Sequence, residues 1–448
     1  MTPKLPPLRL CKLCAISVCL LSFACVARDP FQITGGGLSK GKVSSATDAS
    51  SSFHNPAAAS YLMAGESGLR YNFIGPLGAG YEVGKIDSLV DELDELLDIL
   101  EDDDLNAQAA LDAKDRFDPF LADAAVNGLL KVGGSTSIPF FPMFYHSNSL
   151  GTFTAEVNIS GLIRSTVLDD EIDIVALNDS FKINTSAALY VKSAVKANLA
   201  LGYSRPIYKR EDAMLYAGLK LNVSQYKLGK NVVSLAGLED GEDIGDAIED
   251  DYEANQNSAT NVSLDAGLLW VSEHYSVGLS LQDINEPEYE FGFINDNCTA
   301  LTGLSLDNCF VAQEAVAQGR IKADEVHIAN ALATIEASTW VGVPLFGKGG
   351  KFGLHASVDL NDKNDALGDV YQWASVSTSA QLNSWFIPEL RLGYSQNLSG
   401  TELSYYSFGV TFFKHADLDI RWSDETVRID DSSGPRSAYF SFAIQTKF

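Results

Sequence analysis

The sequence predicts an all-β transmembrane fold, an antiparallel outer-membrane β-barrel of about 12–16 strands with an N-terminal plug and an α-helical insertion after the first strand. Three observations predict this fold: an export signal, long segments of alternating apolar and polar residues, and a last strand that ends in Phe448. Beyond the signal there is no run of about 18 apolar residues. Such a chain crosses a membrane as a closed barrel, in which neighbouring strands pair every backbone polar group.

Residues 1–27 have the layout of a secretory signal peptide, with basic residues, then a short apolar stretch, then the small residue Ala27. The apolar stretch is shorter than the roughly 20 residues of a spanning helix, so we expect cleavage near Ala27. Acylation of Cys25 in a lipoprotein is the less favoured alternative, because Ser22 stands where such a signal has a large aliphatic residue. The expected location is the outer membrane of a Gram-negative bacterium, with outer-membrane lipid and the barrel-assembly machinery as partners.

The net charge of the chain argues against nucleic acid as a partner. The formal charge is −27 at pH 7, and loss of the three basic residues of the signal, which contains no acidic residue, makes it −30. Phosphate backbones are bound by Lys and Arg, so a strongly acidic protein repels them.

Alternation with a period of two residues predicts the strands. In residues 152–163, Phe153 and Val157 fall on one face, while Glu156 and Asn158 fall on the other. Soluble β-sandwiches also alternate, but their strands are usually about five or six residues long. The segments found here run for about ten residues or more, which is the length that crosses a bilayer at a tilt.

The polar faces of these segments supply the residues that we expect to line the lumen. They carry both charge signs, and a lumen of mixed charge holds a plug in place and tunes selectivity. The lumen candidates are Glu156, Lys196, Lys220, Asp265, His355, Asp359 and Arg391.

Three insertions interrupt the barrel segment 66–448. Residues 85–131 have apolar residues at helical spacing among many carboxylates, which predicts an acidic helical cap that is either simply solvated or docks a partner. Residues 237–257 predict an acidic exposed loop. In the loop 295–325, Cys298 and Cys309 are expected to form a disulfide in the oxidising envelope.

The C-terminal strand resembles the recognition signal of the barrel-assembly machinery. Phe440, Phe442, Ile444 and Phe448 share one face of this strand, and Phe448 is the last residue. We therefore expect these four residues to direct assembly into the membrane.

No sequence motif predicts an enzyme. The six histidines show no H-x-x-x-H or H-E-x-x-H spacing, and no nucleophile elbow, phosphate-binding loop or dinucleotide fingerprint is present. The sequence thus predicts no catalytic residue, no metal ligand and no cofactor.

Residues 28–65 are rich in small residues and predict a plug that threads into the lumen rather than a separate core. Their Asn55-Pro56-Ala57 motif resembles the plug motif of the long-chain fatty acid transporter (FadL) superfamily. Within that superfamily, the chain is similar to the outer-membrane family named for the conjugal transfer protein TraF. That similarity rests on the plug motif, the acidic helix at 86–100 and the segments at 358–361 and 390–400.

The resemblance implies a plugged barrel that passively takes up a small hydrophobic molecule, or a TraF-type role in the envelope and in conjugal transfer. An alternative from a different class is a surface interaction protein whose acidic helical cap binds a partner while the barrel serves as an anchor. An apolar pocket that reaches the plug would favour the transporter, and a lumen filled by side chains would favour the anchor.

Overall fold

The computed structural model describes residues 35–177, 179–236, 255–294, 297–345, 348–382, 384–429 and 432–447. The signal peptide, the first residues of the plug segment, most of the acidic loop and the terminal Phe448 lie outside the described residues.

The strands of the described chain close into a single antiparallel barrel of fourteen strands, within the predicted range of strand number. Each strand pairs with its neighbours in sequence, and the last strand pairs with the first. The barrel strands are β1 (Gly68–Val83), β2 (Leu129–Ser137 continued by Met143–Ser147), β3 (Gly151–Leu168), β4 (Ala188–Lys209), β5 (Ala213–Ser234), β6 (Gln256–Ser272), β7 (Tyr275–Gln282), β8 (Leu332–Leu345), β9 (Lys348–Asp359), β10 (Trp373–Leu382), β11 (Glu389–Asn397), β12 (Ser404–Phe412), β13 (Ala416–Ser423) and β14 (Ser437–Lys447). This topology confirms the predicted fold class.

The remaining elements lie in the plug and in the loops. The helices of the described residues are α1 (Gly37–Lys40), α2 (Ser51–His54), α3 (Ala58–Leu62), α4 (Leu89–Leu100), α5 (Ala107–Asn127) and α6 (Leu304–Ala317), with a short 3-10 helix at Cys298–Ala300. Four small hairpins extend from the barrel, formed by Asp173–Ala176 with Phe181–Asn184, Glu288–Glu290 with Val326–Ile328, Lys363–Asn364 with Val370–Tyr371, and Thr426–Ile429 with Ser432–Pro435.

The two ends of the barrel differ in the length of their connections. One end, called the inner end here, has connections of no more than six residues and holds the start of β1 and the end of β14. The other end, called the outer end, carries the long loops, among them 84–128 and 283–331. Bacterial barrels place short turns in the periplasm and long loops outside the cell, which orients the chain across the membrane.

The outward faces of the strands form an apolar band. Leu219 is 65% exposed and Leu392 is 59% exposed, whereas the neighbouring inward Lys220 is 2% exposed. Aromatic residues border this band at both ends, a position where they anchor a barrel at the lipid headgroups. The ring of Trp385 lies 4.8 Å from that of Phe413 at the inner end. Among the residues described, no helix is both long enough and apolar enough to cross a membrane.

The helical insertion packs against the outside of the barrel wall. Strands β4 and β5 are each 22 residues long, and their outer ends rise above the apolar band. Leu96 of α4 and Phe117 of α5 are fully buried in a cluster with Val167 of β3 and Leu235 beyond β5. The Asn106 side chain caps α5 by accepting two backbone N–H groups, a favourable start for a helix. The hairpin therefore has its own core beside the mouth of the barrel.

This core makes a prediction about the helical hairpin. Replacing Phe117 with Ala removes a fully buried ring and should destabilise the packed hairpin by about 3–5 kcal/mol. We expect faster proteolysis between residues 84 and 128, while the barrel still migrates as a folded, heat-modifiable species in electrophoresis. The matched control is Leu111→Ala on the same helix, because Leu111 is 48% exposed. Equal cleavage of the two variants would contradict the proposed core.

Candidate functional site

The N-terminal segment fills the inner half of the lumen. Helix α1 contacts β10, β11, β12 and β13, and α3 contacts β3, β4 and β5 on the opposite wall. Small buried residues such as Ser39, Ala57 and Ala58 bring the plug backbone close to the wall. Because the plug has few large apolar side chains, polar contacts hold most of it.

The motif at residues 55–57 connects α2 and α3 and binds two strands. The Asn55 amide donates to the carbonyl of Leu268 at 3.2 Å and to the Glu336 carboxylate at 2.8 Å. Its side-chain oxygen accepts the backbone N–H of Ala57 at 3.0 Å, which fixes the turn around Pro56. Asn55 therefore shapes the plug and attaches it to β6 and β8.

Two glycines make room for this motif. Gly218 of β5 and Gly267 of β6 are paired across the sheet. A Cβ atom would lie 2.4 Å from the Pro56 backbone carbon at Gly218, and 2.0 Å from the Asn55 side-chain oxygen at Gly267. No other residue fits at such an approach. The sequence analysis did not select this pair. A glycine in the interior of each of two adjacent strands could have indicated the close approach of another backbone.

Three of the predicted lumen residues meet around Lys220. Its ammonium lies 3.3 Å from the Asp265 carboxylate and 3.7 Å from that of Glu156. It also donates to the plug carbonyls of Ser52 and Phe53 at 3.2 and 3.1 Å. Glu156 in turn accepts the Ser52 hydroxyl at 2.9 Å. The cluster joins β3, β5 and β6 to α2 of the plug.

A second cluster surrounds the predicted lumen residue Arg391. Its guanidinium lies 3.0 Å from Asp419 and 3.4 Å from Asp417, and donates to the hydroxyl of Ser39 in the plug at 3.0 Å. Glu389 lies 3.6 Å from Arg391 and binds Lys40 of the plug at 2.9 Å. This cluster fixes α1 against β11 and β13.

Plug lysines thus pair with acidic residues of the wall. Lys42 binds Asp359, another predicted lumen residue, at 2.6 Å. Sequence reasoning did not select Glu336, Glu389, Asp417 or Asp419, although each is inward on an alternating strand. Applying the period-two rule to every strand, rather than to the clearest ones, would have found them.

Two other lumen candidates, His355 and Lys196, face inward and contact neighbouring residues of the wall. His355 hydrogen-bonds to Ser338 and Ser379, both at 2.9 Å. Lys196 lies 4.7 Å from the ring centre of Tyr226, a cation–π distance. Both residues organise the wall around the plug.

Outer loops fill the other half of the lumen. Loop 360–372 buries Leu367 completely, and its Asp369 binds Lys131 of β2 at 2.8 Å. Loop 283–331 contributes Glu325, which binds Lys192 of β4 at 2.6 Å. Burial, together with nearby lysines, lowers the pKa of His327 in the same loop to about 3, so this histidine is neutral at physiological pH.

The disulfide lies in this outer loop. Cys298 and Cys309 are bonded, with their Cα atoms 5.7 Å apart. The bond links the 3-10 helix to α6, and α6 packs through Val311 and Ala315 on the inward side of β3–β5. The loop is therefore secured both covalently and by apolar packing.

A small cavity lies between the plug and the barrel wall. It lies between Leu38 and Lys42 of the plug and Trp373 and Arg421 of the wall, and its volume is about 10 Å³. That volume holds roughly one water molecule. The plug and the wall therefore leave little space between them at this point.

The wall itself is irregular where β1 meets β2. Strand β2 is interrupted at residues 138–142, and regular pairing with β1 stops between the pairs Leu77–Thr136 and Tyr71–Met143. Strand β1 also shifts its register against β14 twice in this stretch, and its Pro76 has no N–H to donate. We call residues 72–76 and 137–142 the seam.

Apolar side chains lie on both sides of the seam. On the outside, Phe73 and Phe140 are half exposed and their rings are 5.9 Å apart. On the inside, Phe144 is fully buried against Leu62 and Met63 of the plug. Apolar side chains therefore cover both the plug-facing and the lipid-facing side of the wall at this point.

The predicted assembly residues lie at the neighbouring strand. Phe440, Phe442 and Ile444 are on the outward face of β14, which pairs with β1. Phe448 lies outside the described residues.

The Lys220 cluster makes a prediction about plug retention. In Lys220→Met, Glu156 and Asp265 lose their buried cation and two plug carbonyls lose their donor, at a cost of about 3–5 kcal/mol. We expect the plug to loosen and the ion conductance in planar bilayers to rise. Lys220→Arg keeps the positive charge, so its ion conductance should be closer to that of the wild type. Lys227→Met is the matched control, because Lys227 is exposed on the same strand. Unchanged conductance in Lys220→Met would refute the role of this cluster.

The disulfide makes a separate prediction about the outer loop. Cys298 and Cys309 should react with iodoacetamide only after reduction, as read by mass spectrometry of the purified protein. The double Cys→Ala variant should lose about 3 kcal/mol of loop stability, because the unfolded loop gains freedom. Faster hydrogen exchange in residues 297–323 would report this loss, and exchange equal to the wild type would contradict it.

Comparison with solved structures finds other barrels. The structure aligns with a Pseudomonas aeruginosa FadL homologue at a TM-score of 0.41 and 9% identity, covering 93% of this chain and 98% of that chain. It aligns with the Pseudomonas putida toluene transporter TodX at a TM-score of 0.37 and 10% identity, covering 94% and 98% of the two chains. No curated protein matches the sequence.

Comparison with protein families gives a match over residues 52–338, from the plug through β8. This range covers more than half of the chain and includes the 55–57 motif, the helical insertion and the disulfide loop. The chain therefore belongs to the family described as "F plasmid transfer operon, TraF, protein".

Proposed function

We propose that this protein is a plugged outer-membrane channel that passes small hydrophobic molecules, and that these molecules leave through the side of the barrel at the seam. The observation that carries the proposal is the interruption of the wall at the seam, with apolar side chains on both of its faces.

The charge of the lumen favours a lateral exit over an axial one. Buried ion pairs surround Lys220, Arg391 and Asp359, and the plug is attached to these three residues by hydrogen bonds and by the Lys42–Asp359 pair. A hydrophobic molecule that crossed this region would separate paired charges and gain no polar contacts in return, which is costly. A path beside Phe144, Leu62 and Met63 avoids those ion pairs and passes Arg70, whose guanidinium donates to the Leu62 carbonyl at 3.3 Å.

The backbone at the seam favours local opening. Between the flanking pairs with Thr136 and Met143, the amide of Asn72 donates to the carbonyl of Pro142 at 3.3 Å. A regular pair of strands has a hydrogen bond at every second residue on each side, so a wall segment with few such bonds opens at a lower cost. Displacement of Phe140 and Phe144 would then join the plug to the lipid.

The names of the aligned barrels agree with this class of cargo, since one is a toluene transporter and another a FadL homologue. The lining at the seam is aromatic and aliphatic, which suits a small apolar molecule.

A second candidate function is recognition of a partner outside the cell. It is favoured by the lumen, which the plug and the outer loops fill. It is also favoured by the helical hairpin, which packs on the outside of the wall and whose segment, residues 85–128, contains fourteen acidic residues and three basic ones. In this role the barrel is an anchor, and the hairpin binds a basic surface of an envelope component, as a conjugal-transfer role would require.

A disulfide across the seam tests the transport proposal. A Cβ atom at Gly75 would lie 2.5 Å from that of Ser137, so Gly75→Cys with Ser137→Cys places two thiols within reach after a small backbone shift. We expect the oxidised variant to take up the dye N-phenyl-1-naphthylamine into cells at the rate of cells that lack the barrel. Reduction should restore uptake.

The matched control is a disulfide in a regular part of the wall, Val277→Cys with Ala337→Cys, at paired positions of β7 and β8. Oxidation of this control should leave uptake unchanged. Normal uptake through the oxidised seam variant would reject the lateral exit. If neither the wild type nor any variant takes up dye, the channel proposal itself fails and partner recognition is favoured.

A further inference from the structure

Loop 360–372 enters the lumen from the outer end, and its tip packs between strands on opposite sides of the barrel. We propose that this loop is a lid, that its tip occupies the site where cargo first binds, and that a row of wall cations holds it shut. The cargo is the small apolar molecule of the function proposed above, and this part of the inference rests on that function. The movement of the lid does not depend on it.

The tip of the lid is a compact turn with one buried side. Ala366 and Leu367 are fully buried, whereas Gly368 is exposed. The Asp365 carboxylate accepts the backbone N–H groups of Leu367 and Asp369, both at 2.9 Å, and Gly368 has a φ of 90°. These contacts within the loop define the turn, so the tip can leave the lumen as a unit.

The buried side of the tip lies in an apolar and aromatic cluster. The ring centres of Tyr226 and Tyr289 are 4.2 Å apart on one side, and those of Trp373 and Tyr405 are 5.5 Å apart on the other. Leu38 of the plug belongs to the same cluster. The cluster therefore extends from the lid to the plug.

Removal of the tip would leave a chamber above the plug. Lys196 and Arg421 border this chamber, and each lies 4.7 Å from a ring centre, a cation–π distance. An apolar molecule that enters from outside would bury its surface against the same rings that now cover Ala366 and Leu367. The tip therefore stands in the place of the cargo.

A row of four cations faces the lumen beside this cluster. Lys131 of β2 is paired with Arg164 of β3, Arg164 with Lys192 of β4, and Lys192 with Lys230 of β5. Like charges at paired positions of neighbouring strands repel each other. Glu82 of β1 is paired with Lys131 and compensates one end of the row. The rest of the row depends on groups that the loops contribute.

The lid contributes two acidic groups to this row. Asp365 pairs with Lys131, and Asp369 pairs with Lys131 at 2.8 Å and with Arg164. Lys192 donates to a backbone carbonyl of the tip at 2.6 Å. The lid is therefore attached to β2, β3 and β4 by charges that would otherwise repel one another.

Loop 283–331 compensates the other end of the row. Glu325 binds Lys192 at 2.6 Å, and the carbonyls of Lys322 and Ala323 both accept the ammonium of Lys230 at 2.7 Å. These contacts do not involve the lid, so the lid can open while this end of the row stays compensated.

The ion pairs make the closed lid the resting state. Opening separates the buried pairs of Asp365 and Asp369 with Lys131, which is costly. Cargo binds only after the tip has left its site, so it has affinity for the open state alone. Cargo therefore shifts the lid towards the open state.

Labelling of a tip cysteine on intact cells tests the lid in the whole protein. Ala366→Cys places a thiol in the buried tip, while the other described cysteines are bonded to each other and stay unreactive. We expect slow reaction with a membrane-impermeant maleimide. The rate should rise roughly a hundredfold when Lys131→Met is added, because Asp365 then loses its buried cation. Asp369→Asn, a change on the lid itself, should also raise the rate, and no increase in either variant would overturn the lid.

Two controls separate opening of the lid from general loosening of the outer end. Lys182→Met removes a more exposed ion pair with Asp103 and should leave the labelling of Ala366→Cys unchanged. Ala124→Cys, which is fully buried in the helical hairpin, should stay protected when Lys131→Met is added. Labelling of Ala124→Cys that rises in parallel with that of the tip would overturn the lid.

The dye N-phenyl-1-naphthylamine tests the cargo site. It should accelerate the labelling of Ala366→Cys in a saturable manner, because it binds where the tip stands. Uptake of the dye without this acceleration would overturn the cargo site and leave the channel in place. Opening of the lid by Lys131→Met in cells that never take up dye would refute the channel and support the lid alone.

Discussion

The pairing of buried charges inside the barrel is the constraint on which the rest of the structure depends. Lys220, Arg391 and Asp359 lie in a lumen from which water is largely excluded, and a buried charge without a partner is expensive. Wall carboxylates pair with Lys220 and Arg391, whereas Asp359 takes its cation, Lys42, from the plug. The plug contributes Lys40, Lys42, hydroxyls and carbonyls to these groups. The contacts that fix the plug in position therefore also lower the free-energy cost of burying charge in the lumen.

Backbone pairing imposes the complementary constraint on the wall. A closed barrel satisfies every strand edge, which the pairing of β14 with β1 achieves. The seam is the place where this rule is relaxed, and it coincides with apolar contact between Phe144 and the plug. Charged contacts elsewhere attach the plug, and the backbone pairing of the wall is sparse here. In the function proposed above, the seam is the region that opens.

At the outer end, the loops fill the lumen independently of the plug. Loops 283–331 and 360–372 fold inward and bind Lys131 and Lys192, while the helical hairpin packs outside. The long strands β4 and β5 support both arrangements, because their outer ends have an apolar inward face and an apolar outward face above the lipid band. Alternate residues of these strand ends therefore pack into two apolar clusters. One cluster lies with the helical hairpin outside the wall, and the other lies with α6 inside it.

The sequence by itself determined the barrel, the inward polar face and the helical insertion, because alternation and helical spacing are local and survive in any tertiary context. It also placed Glu156, Lys220 and Asp265 on inward faces, but not in contact. Only the tertiary structure decided which charges meet, that Gly218 and Gly267 admit the plug, and that the wall is interrupted at the seam. These features depend on strands distant in sequence and on register, which a local pattern does not encode.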